Sequence, residues 1–77
     1  MKTIGLLGGM SWESTLEYYK ALNQGIQDQL GGLHSAKVVL HSVDFGPLES
    51  LMQKGDWETI GRQLGDAVAG LEKAGAD

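Results

Sequence analysis

Hydrophobic positions along this chain change period several times, and each change marks an element. Lys2–Leu7 is a short apolar run of strand length, broken by Gly8–Gly9, residues that accept φ > 0 and leave the backbone bare. From about Trp12 or Ser14 to Leu30 the spacing becomes helical, with Leu16, Tyr19, Asn23, Ile26 and Leu30 on one stripe. Ser11 and Ser14 are both N-cap residue types, and Ser14 stands three before Glu17, as in a capping box. Gly31–Gly32 ends the helix, and Gly25 weakens its second half.

After a linker, Lys37–Val43 carries a β-branched apolar centre suited to a strand covered on both faces. Asp44–Phe45–Gly46–Pro47 closes it, with Pro47 placed to open a short helix over Leu48–Gln53. Lys54–Gly55 interrupts. Asp56 is a natural N-cap for a third helix whose apolar face is Ile60, Leu64, Ala67, Val68 and Leu71, ending near Lys73 and Gly75. Gly61 and Gly65, four apart, suit a close approach of this helix to a sheet. The order is β–α–β–short α–α, and Ala74–Asp77 stands where a third strand is expected. Two strands make a poor parallel sheet, so residues 1–77 are expected to be the N-terminal portion of a first, larger α/β domain, with the rest of it elsewhere.

Composition narrows the class. A chain of 77 residues buries a thin core, and 42% hydrophobic with 21% charged residues describes an ordered, globular chain. A net charge of −4, with six scattered cations, argues against a nucleic-acid partner. The absence of cysteine excludes disulfides and thiolate metal sites within these residues. The first apolar run is too short for a signal peptide or a membrane span, which makes the cytoplasm the expected location and a membrane partner unexpected.

The strongest chemical feature is the turn Gly8–Gly9–Met10–Ser11 where a strand runs into a helix. A helix start offers unpaired N–H groups and partial positive charge, so it can hold an anion; the same geometry also serves a plain βα turn. Gly5, Gly8 and Gly9 lack the Gly-x-Gly-x-x-Gly dinucleotide spacing, and no Lys-Ser or Lys-Thr follows as in a P-loop. Asp44–Phe45–Gly46 spells a kinase triplet without the catalytic loop that gives it meaning. His34 and His41 have no third ligand, and His41 reads as a hydrogen-bonded structural histidine. Ser11 and Ser14 have no base partner for a hydrolase triad. Trp12, Tyr18 and Tyr19 read as packing residues, with Trp12 placed to form a pocket rim. Ligands of open parallel sheets bind beyond the carboxyl ends of the strands, where both Gly8–Ser11 and Ser42–Phe45 fall.

These residues also carry a resemblance. Met1 to Thr15, Tyr18–Tyr19, Asn23, Leu30 to Ala36, Ser42 to Phe45, Gly55–Asp56–Trp57 and Ala74 to Asp77 together resemble the aspartate/glutamate racemase family, in its amino-acid racemase branch. The resemblance implies a two-domain, pseudo-symmetric enzyme with flavodoxin-like parallel-sheet domains and a site in the cleft between them. It implies inversion of an acidic amino acid at its α-carbon without pyridoxal phosphate or metal, by two cysteines on opposite faces. The first of these cysteines follows the segment matching Ala74–Asp77, so no catalytic residue is expected within this chain. Its share is a substrate cradle of Gly9, Met10 and Ser11, with Ser42–Phe45 nearby and a contact from Met52 or Gln53. Some relatives carry an arginine in that loop, whereas Arg62 here is assigned to the third helix, so aspartate specificity does not carry over. The partner implied is a small amino-acid substrate, with a lean toward a homodimer. The rival reading is a non-catalytic nucleotide- or carboxylate-binding α/β module.

Overall fold

A computed structural model describes all 77 residues and contains β1 (Ile4–Gly8), α1 (Trp12–Leu30), β2 (Val38–Ser42), α2 (Phe45–Lys54) and α3 (Trp57–Lys73). The strands pair in parallel, Ile4 opposite Val38 through Gly8 opposite Ser42. Side chains alternate across a strand. A Cβ on Gly8 would meet Thr15 of α1, whereas one on Gly5 would meet Leu71 of α3. The two glycines are three apart, so α1 and α3 cover opposite faces of the sheet.

The two faces are packed unequally. Against α3 lies the core, formed by Leu48, Ile60, Ala67 and Leu71, which are the four buried hydrophobic residues. On the α1 face Leu22, Asn23 and Ile26 are half-buried, while Leu16, Tyr19 and Leu30 of the expected stripe are exposed, as are Trp12 and Tyr18. Two strands spaced roughly 4.8 Å apart are too narrow to roof a 19-residue helix. The radius of gyration of 14.7 Å reflects this openness, since a close-packed chain of this length has about 11.5 Å.

Helix starts depart from expectation in instructive ways. The Ser14–Glu17 capping box does not form: α1 begins earlier, with Ser11 at the N-cap in an extended conformation, and that side chain caps nothing. Pro47 does not open α2, because Asp44 accepts from Gly46 N–H and starts the helix two residues sooner. Proline is tolerated in a first turn, whose N–H groups have no helical partner anyway. Asp56 caps α3 as expected, accepting from the Thr59 N–H at 3.2 Å and the Thr59 hydroxyl at 2.8 Å. Gly61 and Gly65 do not seat α3 on the sheet, because nothing lies within 4 Å of the Cβ positions they lack. Val68 is likewise exposed rather than in the core. The contacting face runs instead through Ile60, Ala67 and Leu71.

The chain returns to β1 at its other end. Asp77 N–H donates to the Thr3 carbonyl at 2.9 Å, and Thr3 N–H donates to Asp77 Oδ2 at 2.8 Å. Ile4 N–H points the other way, to Lys37 O at 2.9 Å. Residues 76–77 therefore sit on the edge of β1 opposite β2. No helix is long and apolar enough to cross a membrane.

Two outcomes follow for stability. Gly25→Ala, in open space within α1, stabilises the protein by roughly 0.5–1 kcal/mol, read from the urea midpoint. The Thr59 hydroxyl first, then its N–H, hold the Asp56 carboxyl below its usual pKa of 3.8. A depressed folded-state pKa contributes stability above the unfolded value that disappears as pH falls through the folded one. Far-UV ellipticity thus declines below pH 3.8 in the native sequence, and Asp56→Asn, which caps without charge, removes this part of the decline.

Candidate substrate site at the first strand–helix turn

The β1–α1 turn is built by three residues acting together. Gly9 has φ +94°, the left-handed region, and a Cβ there would strike the Val43 backbone and lie 2.8 Å from Ser42 Oγ. Val43 N–H donates to Gly8 O at 2.8 Å, tying the ends of both strands together. Thr15, the buried polar residue of the chain, reaches back over Gly8, and its Oγ1 accepts from Gly9 N–H at 3.0 Å. That hydroxyl also donates to the Ser11 carbonyl at 3.2 Å, which accepts the Thr15 N–H at 3.1 Å as well. Gly8 has no side chain because Thr15 occupies the space: Cγ2 and Oγ1 stand 2.5 and 2.6 Å from where a Cβ would be.

The engaged amide in the turn is that of Gly9, so Gly9 supplies geometry and not a donor. The open donors begin one residue later. Met10, Ser11 and the first α1 residues Trp12, Glu13 and Ser14 have N–H groups without a partner in the chain. Ser11 Oγ turns sideways to Glu13 Oε2 at 3.4 Å and Ser14 Oγ at 3.3 Å. Beside these groups lies a hollow of about 260 Å³, lined among others by Leu7, Met10, Ser11, Ser14, Thr15 and Tyr18. No charged side chain lines it. Apolar side chains and hydroxyl-bearing residues both line it, at the N-terminal, positive pole of α1.

A larger hollow of about 430 Å³ lies on the α3 face, where His41 and Pro47 meet Asp44 and Asp66. Two carboxylates there make a poor seat for an anion. His41 is exposed on this hollow and its side chain makes no hydrogen bond, which corrects its reading as a bonded structural histidine: solvent, not a protein donor or acceptor, faces the ring. Trp12 does form a rim, with Leu16, Tyr19 and Leu40, around an apolar hollow on the α1 face.

Of the residues expected at the site, Met10 and Ser11 line the 260 Å³ hollow, and Gly9 is buried beneath it. Ser42 and Val43 abut Gly9 as expected. Met52, half-buried, and Gln53, exposed, sit in the second half of α2 and line none of the hollows. Arg62 is on α3, donating to Thr59 Oγ1 at 3.4 Å. Thr15 and Tyr18 were not singled out for the site by sequence. The available signal was a threonine one helical turn beyond Ser11, the position from which a hydroxyl can reach back to the strand it follows.

A family model described as Asp/Glu/hydantoin racemase matches residues 7–77. The chain belongs to this racemase family. A crystal structure of a Yersinia pestis protein assigned as an Asp/Glu racemase is 56% identical, with a TM-score of 0.96 over 99% of the chain. The chain spans 33% of that protein's length. Within this racemase-family fold, the β1–α1 turn is held by Gly8 and Gly9, where an added Cβ would collide with Thr15 or with the Val43 backbone. Gly9→Ala, strained in φ and colliding with the Val43 backbone, destabilises the protein by at least about 1–3 kcal/mol in chemical denaturation.

Proposed function

We propose that residues 1–77 form part of the substrate cradle of a cytoplasmic amino-acid racemase acting on aspartate, glutamate or a close relative, without pyridoxal phosphate or metal. The observation that carries this reading is the hollow at the carboxyl end of β1, lined by no charged residue and by Met10 and Ser11, whose N–H groups have no partner in the chain. Family membership and the similarity to the Yersinia pestis protein support it. The α-carboxylate of the substrate accepts hydrogen bonds from those amides and sits at the positive end of α1. A further substrate contact comes from either Met52 or Gln53.

Inversion needs a proton to leave one face of the α-carbon and another to arrive on the opposite face. In this proposal one thiolate takes the α-proton, the electron pair passes into the carboxylate as an enediolate, and a thiol opposite returns a proton to carbon. The enzyme ends with thiol and thiolate exchanged, and nothing is oxidised. The 77 residues contain no cysteine, so both thiols come from elsewhere in the polypeptide, and these residues alone turn nothing over. A reducing cytoplasm keeps such thiols free. Donors such as the turn amides stabilise the charge that moves onto the carboxylate. A homodimer belongs to the same proposal.

The test is exchange chemistry on the full-length protein in heavy water. Either enantiomer of aspartate or glutamate acquires deuterium at the α-carbon and becomes a racemate, and serine in place of either thiol stops the inversion. Absence of exchange with both amino acids, together with nucleotide-induced shifts of Met10 and Ser11, decides for a binding module instead.

A further inference from the structure

Thr15 is the buried polar residue of this chain, 8% exposed, and the racemase chemistry has no use for it. Its hydroxyl accepts one hydrogen bond from Gly9 N–H at 3.0 Å and donates one to Ser11 O at 3.2 Å. These two bonds join the residues that flank Met10. Pinning the N–H of residue 9 and the C=O of residue 11 to one hydroxyl restricts how the peptide planes between them can turn. Gly8 gives up its side chain to let Thr15 in, and Gly9 adopts φ +94° to aim its N–H at the hydroxyl. Three unusual residues therefore converge on one bond pair.

We infer that Thr15 is a positioning residue for the carboxylate seat: its hydroxyl withdraws the Gly9 amide from the ligand and orients the Met10 and Ser11 amides into the hollow. The ligand class is a carboxylate, and the inference rests on the racemase reading only for the name of that carboxylate. Thr15 touches no reacting atom. Its contribution lies in the arrangement of donors before the ligand arrives, which lowers the reorganisation required on binding. Such donors hold the bound carboxylate and, more strongly, the enediolate charge it acquires, so their disorder raises KM and lowers kcat with it.

The experiment compares full-length native protein with Thr15→Val, nearly isosteric but without the hydroxyl, and Thr15→Ser, which retains it. Two readouts are taken: exchange kinetics with glutamate in heavy water, and amide NMR titration with glutarate, a dicarboxylate that cannot be racemised. The valine variant raises KM and the glutarate Kd about tenfold and lowers kcat as well, and serine restores all three. A fall in kcat at unchanged KM marks a merely structural residue and overturns the inference, as does a valine variant equal to the native protein. Glutarate that moves neither the Met10 nor the Ser11 amide overturns it whatever the turnover. A native protein that exchanges neither glutamate nor aspartate, but whose Met10 and Ser11 amides still respond to glutarate, and respond more weakly in the valine variant, upholds the positioning role while ending the racemase reading. Should the valine variant not fold, hydrogen exchange on the native protein decides. Gly9 N–H then exchanges slowly, while Met10 and Ser11 exchange fast until glutarate protects them; a fast Gly9 amide overturns the inference.

Discussion

The hydroxyl of Thr15, caught between Gly9 N–H and Ser11 O, is the interaction on which the arrangement of this fold depends. A strand must here become a helix within three residues, and the reversal brings a backbone donor into a buried position. An unsatisfied buried N–H is costly, so the donor needs a partner that travels with the turn. A threonine one turn into α1 satisfies that need without a water molecule. The requirement then propagates outward. Gly8 stays bare to admit the side chain, Gly9 adopts positive φ, and the carbonyl of Gly8 is left pointing at Val43, which closes the ladder to β2.

Around that turn the molecule has one dense side and one sparse side. The α3 face packs Ile60, Ala67 and Leu71 onto β1 and β2, with Leu48 of α2 beneath them. The α1 face leaves Trp12, Leu16 and Tyr19 beside Leu40 with a hollow between them. Burial of each large apolar side chain is worth roughly 1.5–3 kcal/mol, so most of the cohesion of these residues comes from the α3 side. The turn sits where the two sides meet at the carboxyl end of β1, anchored by the dense side through Val43 and open toward the hollow.

The order of elements was legible because hydrophobic period and β-branched runs are local signals, and all five elements lie within a few residues of their expected bounds. Asp56 was legible as a cap for the same reason. Failures arose wherever a local pattern had two physical outcomes. Ser14–Glu17 has capping-box spacing, but the same spacing fits two solvent-facing helical residues, and the chain enters its helix at Ser11. Gly61 and Gly65 look like a close-packing pair, yet their faces open to solvent because α3 meets the sheet through Ile60 and Ala67. The turn was legible as a candidate anion seat; the division of labour within it was not. Which amide is taken and which is free depends on a hydroxyl six residues from Gly9, and only the folded geometry brings the two together.

The pairing of Thr3 with Asp77 joins positions 74 apart in sequence. Closing a loop of that length from a flexible chain opposes folding by about 4 kcal/mol through its logarithmic length term. Contacts this distant form late, after helices and the β1–β2 ladder have shortened the path between them. The edge of β1 beyond Thr3 is accordingly the last seam of these residues to close as they fold and the first to open under stress, which makes it the place where an unfolding chain exposes a strand to its neighbours.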